Sequence, residues 1–404
     1  MPDPAKPHFI AFISRREEIA DYTSLRPAAD FTFASFSDLG ADAIRVDPNR
    51  MHDVIAVFSR LHDRKPFTAV LNRKEKCVVP AARMASALGL PPIASAPELA
   101  RDKYAMRQSL TGGGNFPRTV LIRDAGDLDA VDATMFPCVL KPRFGFNSRA
   151  AVLAADRREL VAAYREHHER YSRLPKQDCT GADFVVEELI PGTEHNVETL
   201  VRNGAPLFHL LSDKLPMDPP YFVEIGDDMP SRLPPAGQAA CREAADRAIR
   251  NLGILNGWTH TEVKLSGTTA LVVECAARMG GGYFENLFRE VYGVNRLEMA
   301  MAIHLDAPPT PTPLPRACAA ARRLVVYGPR RMRTLENAEA LFANEDVRLV
   351  WPAHVAAIDR ELAGPPFEFN NTLVEFMVLG SSGEKAALLA NRLVADASVR
   401  TAEE

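Results

Sequence analysis

The sequence has no apolar run long enough to cross a bilayer. None of its 404 residues sits in a stretch approaching 18 consecutive apolar side chains, so no membrane-spanning helix is expected. The opening MPDPAKPHFIAFISRREE carries only a short apolar run cut by charges, which does not make a secretory leader. Cysteine is scarce. The six residues at 77, 138, 179, 241, 275 and 318 form no CxxC pair, which argues against a disulfide framework and a structural zinc site. Cys77, Cys138 and Cys275 lie in or beside apolar segments and read as small buried hydrophobes. A reducing, cytoplasmic setting is the expectation. Positive charge is not in excess either. Lys and Arg number 48 against 52 Asp and Glu, a net charge of -4, so a broad basic surface for nucleic acid is not expected. GxGxxG is absent, and with it the dinucleotide fingerprint.

What is present is an ordinary globular composition, 47% hydrophobic and 25% charged. At about 150 residues per domain the length suggests two to three domains. Proline is abundant at 31 residues, six of them between 215 and 235. The segments 8–14, 30–37, 53–59 and 66–72 read as strands, and 78–90 as a helix ending at Gly89. Strands alternating with helices predict a small α/β domain with a mostly parallel sheet over residues 1–100. Beyond it, 98–113 and 157–173 read as polar helices. FPCVLKPRF and 182–192 read as strands, and 196–214 as a hairpin about Asn203-Gly204. Residues 215–235 read as a long Pro-rich loop, 237–255 as a helix, and the tail as strands at 322–328 and 374–380 followed by a helix.

The sharpest chemical feature is a pair of glutamates. TEVKL and ALVVE flank SGTT, so a hairpin turning about Thr268 sets Glu262 opposite Glu274. Directly opposed side chains share a face about 5 Å apart at Cβ. Two carboxylates so placed call for a cation, and hard oxygen donors suit magnesium carrying nucleotide phosphates. A surface hairpin with Glu262 paired to Lys264 is the competing reading from spacing alone. Lys141 ends the apolar run FPCVL, where an ammonium can reach an anionic ligand. RFGFNSR follows with backbone amides and Ser148, though it is poor in glycine. Glu194, in the turn after FVVEELIPG, can accept from ribose hydroxyls. Arg278, before three glycines, can clamp a carboxylate or phosphate. His260 stands near the carboxylates, but no serine elbow or Cys–His signature surrounds it.

Five segments occur in an order that resembles the ATP-grasp superfamily. These are RDKYAMR at 101–107, FPCVLKPRFGFNS at 136–148, VVEELIPGTEHNVE at 185–198, HTEVKL, and VVECAARMGGG. Together with LGLPP and LGSSGEKA they look closest to its carboxylate–amine ligases, the amino-acid (dipeptide) ligase branch, over roughly residues 50 to 395. The resemblance implies an α/β fold of three domains with ATP held between two lobes: an N-terminal domain over 1–100, a central ATP lobe over 101–195, and a C-terminal lobe over 196–404.

It also implies roles. Lys103 and Lys141 would touch ATP phosphates, with Ser148 in the covering loop. Glu187, Glu188 and the backbone of Ile190 would lie at the adenine hinge, and Glu194 at the ribose. Glu262 and Glu274 would hold magnesium, or manganese. Arg278 would steady an acyl phosphate. One departure is Ala276, where the family usually places an asparagine as a further metal ligand. Substrates would be a small carboxylate and an amine, with Glu224, Glu75, Arg322 and Arg323 as weaker contacts and Glu224 facing an α-ammonium group. The loops 142–149 and 215–235 would be lids, and a homodimer is the base-rate expectation. A purine-pathway ligase and a non-catalytic nucleotide-binding protein stand as the alternatives.

Overall fold

The computed structural model describes residues 6–25, 28–110, 117–172, 183–216, 220–305, 312–325, 330–336, 341, 343–351, 360–362 and 372–401. The chain opens with a four-stranded sheet of β1 (His8–Ile13), β2 (Asp30–Ser35), β3 (Ile44–Arg45) and β4 (Ala69–Asn72) in the order β3-β2-β1-β4. Every pairing in it is parallel. All six residues of β1 are buried, as befits a central strand covered on both faces. The helices of this unit are α1 (Glu18–Thr23), α2 (Met51–Arg64) and α3 (Val78–Ala87).

The expected strand at 53–59 is therefore wrong, because those residues lie inside α2. Val54, Ile55, Phe58 and Leu61 recur at helical spacing and pack toward one core. β-Branched residues in DVIAVFS imitate a strand over a window too short to show the longer period.

Next comes α4 (Lys103–Leu110), whose first amides are capped by Asp102. Its Oδ1 accepts from the Tyr104 and Ala105 amides at 3.1 Å each. A second, antiparallel sheet follows. It contains β5 (Thr119–Ile122), β6 (Cys138–Pro142), β7 (Val152–Ala154) and β8 (Phe184–Glu188), ordered β5-β8-β6-β7, with α5 (Arg157–Ser172) alongside. Ile122, Leu140, Leu160, Tyr164 and Phe184 belong to a hydrophobic core whose buried residues all come from this lobe, with Tyr221 packed against its edge.

The largest unit is built on β9 (Thr193–Arg202), β10 (Ala205–Lys214), β11 (Gly226–Met229), α6 (Pro235–Asn251), β12 (Gly257–Ser266), β13 (Thr269–Ala276), α7 (Phe284–Tyr292) and α8 (Arg296–Ala302). Then come β14 (Cys318–Val325), β15 (Arg330–Glu336), β16 (Val347–Trp351), β17 (Arg360–Leu362), β18 (Thr372–Gly380), the helix Gly383–Asp396 and β19 (Ser398–Thr401). Eight of these strands form one sheet ordered β13-β12-β9-β10-β11-β14-β18-β16, and β17-β15-β19 form a small separate one.

The segment 215–235 is not simply a loop. It contains β11, which bridges β10 and β14, and Pro235 already opens α6; residues 217–219 lie outside the described residues. The N-terminal sheet does not stand alone. Ile10, Phe58, Val78 and Met106 share a core with Val197, Ala245, Val263 and Cys275. Among the described residues no helix is long and apolar enough to cross a membrane. Cys77, Cys138, Cys241 and Cys275 are buried free thiols, while Cys179 lies outside the described residues.

Candidate active site

A cavity of about 510 Å³ opens where the three units meet. The hairpin of β12 and β13 forms its floor, and Glu262 and Glu274 are cross-strand partners as the turn spacing predicts. A bulge follows Glu262, yet Lys264 also lines the cavity. Each carboxylate already has a cation. Lys103 donates to Glu274 Oε1 at 3.1 Å and to the Gly145 carbonyl at 3.0 Å, which ties the loop after β6 to the hairpin. Lys214 lies 3.1 Å from Glu262 Oε1, 2.7 Å from Glu194 and 3.0 Å from Glu224. One buried ammonium therefore serves three carboxylates. Burial opposes its charge, but Glu194, Glu224 and Glu262 overcome this and hold the amine well above its usual range. Glu224 is pressed the opposite way. Burial would raise it, but Lys214 and Arg323 outweigh that and bring it to about 2.

Lys141 also reaches the cavity from the end of β6, with its ammonium 2.6 Å from Glu187 Oε2. Arg107 of α4 approaches the same carboxylate through Nε at 3.1 Å and Nη2 at 3.2 Å. Its Nη1 donates to the Val272 carbonyl at 2.7 Å, so the guanidinium joins α4, β8 and β13. Burial alone would raise Glu187, yet Arg107 and Lys141 hold it at about 2. Its carboxylate is thus committed to two cations. Glu188, the next residue, also lines the cavity and takes Arg118 Nε at 2.8 Å. Ser148 and Ile190 both line the cavity, and Ser148 sits in a loop where Asn147, Ser148 and Ala150 all have positive φ.

Arg278 donates from Nε to Glu75 Oε2 at 2.5 Å, and Arg101 holds the other oxygen of Glu75 at 2.9 Å. Burial would raise Glu75, but Arg278 and Arg101 keep it at about 2. Arg323 faces the cavity, paired to Glu224 and Glu375 at 2.8 Å each and stacked 4.7 Å from the Tyr283 ring centre. Arg322 does not reach it. Successive residues of a strand point to opposite faces, so Arg322 binds Asp228 at 2.8 Å and Asn391 at 2.7 Å instead. Its candidacy as a substrate contact is withdrawn.

Sequence reasoning passed over Arg107, Lys214 and, in part, His260. His260 Nδ1 bonds to Glu198, and its Nε2 lies 3.6 Å from Glu262. Burial disfavours the imidazolium, but Glu198 wins and raises it to about 9. Arg296 at 3.1 Å and the Gly280 amide at 3.1 Å complete the Glu198 carboxylate. A Cβ at Gly280 would fall 2.6 Å from Glu198 Oε1, so glycine is what lets that turn close over the pair. His260 is also the cross-strand partner of Ala276, a signal available from the hairpin register.

Among the described residues no group of three or more His, Cys, Asp and Glu forms a ready metal cage. Two facing carboxylates nevertheless fit a magnesium ion that keeps waters and substrate phosphates as its other ligands. Ala276 lines the same cavity without offering a donor.

Residues 134–286 match the model of the ATP-grasp domain. Human carnosine synthase 1 is 29% identical over 269 residues, which is 60% of this chain and 31% of that protein. The alanine–anticapsin ligase of Bacillus subtilis is 26% identical over 255 residues, 58% of this chain and 53% of that one. The chain thus spans about a third to a half of the length of these curated relatives. An L-amino acid ligase structure from Bacillus licheniformis superposes with a TM-score of 0.81 at 21% identity, covering 98% of this chain and 99% of the other. The domain match lies on the hairpin and lobes that build the cavity, and the fold of the L-amino acid ligase runs through nearly the whole chain, so residues 134–286 are similar to the ATP-grasp domain in both sequence and fold.

Proposed function

We propose that the protein is an ATP-dependent carboxylate–amine ligase acting on amino acids. The observation that carries this reading is the convergence of Glu262, Glu274, Lys103, Lys141 and Arg278 on one cavity. Lys103 and Lys141 meet ATP phosphates, with the Ser148 loop above them. Glu188 and the Ile190 backbone flank the base, and Glu194 serves the ribose. Glu187 acts differently from a base contact: it aims Lys141 and Arg107. Magnesium or manganese on Glu262 and Glu274 supplies neutralisation of phosphate charge.

A substrate carboxylate oxygen attacks the γ-phosphorus, the bridging bond to the β-phosphate breaks, and ADP departs. The amine nitrogen then attacks the acyl phosphate carbon, and phosphate leaves as the amide forms. Arg278, fixed by Glu75, faces the charge on the transferring phosphoryl oxygens. Closure matters because an acyl phosphate hydrolyses in water. The loop 142–149 and the segment carrying Phe222 and Glu224 are the lids this requires. Glu224 receives the α-ammonium group of the donor. The relative named alanine–anticapsin ligase supports amino-acid substrates.

ADP release measured with amino acids, singly and in pairs, tests the reading. Release that depends on a particular pair is expected. No release across the panel, despite tight Mg-ATP binding, would overturn it in favour of a non-catalytic nucleotide binder. Release driven by bicarbonate or a nucleotide amine instead would move it to another ligase class.

A further inference from the structure

The N-terminal sheet contributes a wall to the cavity that the roles above leave without a task. Its order β3-β2-β1-β4 means that the chain builds outward from β1 on one side and then returns to add β4 on the other. The switch point therefore lies between β1 and β4. In open parallel sheets, ligands bind just beyond the carboxyl ends of the strands at that point. Ser14 and Arg15 follow β1, Arg73, Lys74 and Lys76 follow β4, and all five line the cavity.

The charge on this wall is one-sided. Glu18 answers Lys74 at 3.0 Å and Arg15 at 3.8 Å, and Asp21 answers Arg73 at 2.6 Å. Four cations thus face two carboxylates. The adjoining Arg101–Glu75–Arg278 group adds one further cation over its acid. The lining from the large sheet is reversed: Lys214 and Arg323 stand among Glu194, Glu224, Glu262 and Glu375. A cavity with a basic segment of lining from one sheet and an acidic segment from another favours one orientation of a charged substrate.

The two substrates of a ligation differ in what they keep. The donor loses its carboxylate charge on activation, whereas the amine-bearing substrate retains any anionic group it carries. We propose that Arg15, Arg73, Lys74 and Lys76, at the ends of β1 and β4, bind the anionic group of the amine-bearing substrate, a carboxylate or a phosphate monoester. This rests on the ligase reading. Ser14 serves the site indirectly, its hydroxyl donating to Glu18 at 2.8 Å and so fixing the carboxylate that positions Lys74. Glu75 is the residue after Lys74 and holds Arg278, so a group seated here lies beside the arginine assigned to the reacting phosphoryl group.

The test compares wild type with the Arg15→Ala/Lys74→Ala double variant at saturating ATP and donor. L-Alanine, L-alaninamide and aminoethyl phosphate serve as amines. The KM for an anionic amine should rise at least tenfold, while KM for L-alaninamide and for ATP stays within twofold. Lys74→Arg should retain the wild-type KM. The anionic amine with the lower wild-type KM identifies the natural group as carboxylate or phosphate. An equal rise for L-alaninamide, or no rise for either anionic amine, would overturn the proposal. If wild type turns over no pair, the ligase reading alone has failed. Calorimetric binding of L-alanine and aminoethyl phosphate then decides the subsite, with tenfold weakening in the double variant supporting it and equal or absent binding refuting it.

Discussion

Two buried ionic clusters flank the cavity, and they are built on opposite stoichiometries. In one, Arg107 and Lys141 share the single carboxylate of Glu187. In the other, Lys214 is shared by Glu194, Glu224 and Glu262, with Arg323 also on Glu224 and His260 beside Glu262. The first joins α4 to β8 through the Arg107–Glu187 pair and to β13 through the Val272 carbonyl, so its charges behave as a structural clamp. The second carries more acid than its central ammonium can neutralise, and such an excess is tolerable where a cation arrives with the ligand. The difference separates a cluster rich in cations, which ties the lobes together and aims Lys141 into the cavity, from one rich in carboxylates.

Removing one carboxylate from each side should break the symmetry most strongly. Glu262→Ala is expected to lower turnover on the order of 10³-fold, by loss of the proposed metal ligand, while the urea midpoint changes little because Lys214 keeps Glu194 and Glu224. Glu187→Ala leaves two buried cations facing each other and should cost roughly 3–5 kcal/mol of stability. A marked fall in midpoint for Glu262→Ala, with turnover intact, would reverse the assignment of the two clusters.

Removing one cation sharpens the contrast. Lys214→Met removes the ammonium from Glu194 and leaves Glu224 to Arg323 and Glu262 to His260, and should destabilise the fold by about 3–5 kcal/mol. Lys141→Met leaves Glu187 with both of its bonds from Arg107, so about 1 kcal/mol is expected, together with weakened ATP binding. Equal losses in denaturant titrations would mean that the clusters are energetically alike.

The smallest effect concerns pH. Asp227 is buried, accepts from Asn196 Nδ2 at 2.7 Å and from the Tyr283 hydroxyl, and lies near Glu224. Burial first, then Glu224, raises its pKa to about 7. A carboxyl raised in the folded state binds more protons there than in the unfolded chain. Its stabilising contribution is therefore full below the unfolded pKa near 4 and fades as pH rises through 7. Asp227→Asn should flatten the decline in thermal midpoint between pH 4 and 7. An unchanged slope would remove Asp227 as its source.

Much of the site could be read from the chain because short spacings control it. The SGTT turn sets the register of Glu262 against Glu274, and Asn203-Gly204 sets β9 against β10. Lys141 was legible as the polar end of an apolar strand. Partners distant in sequence were not. Arg107 and Glu187 are 80 residues apart, and Lys214 and Glu262 are 48 apart, so only the folded sheet order brings them together. Strand parity hid the rest. Arg322 and Arg323 are chemically identical, and nothing local says which one faces the cavity. α2 was lost for a related reason, since seven residues do not distinguish a period of 3.6 from one of 2.

The separate core of the β5–β8 lobe has a mechanical consequence. A body with its own oily interior can swing as one piece without exposing that interior, whereas the N-terminal sheet and the large sheet share side chains and must travel together. The Arg107 guanidinium spans the two bodies, bonding Glu187 of the lobe and the Val272 carbonyl of the large sheet. Displacing the lobe would break the Arg107 bonds and the Tyr221 contact at its edge before it disturbed the interior of either core.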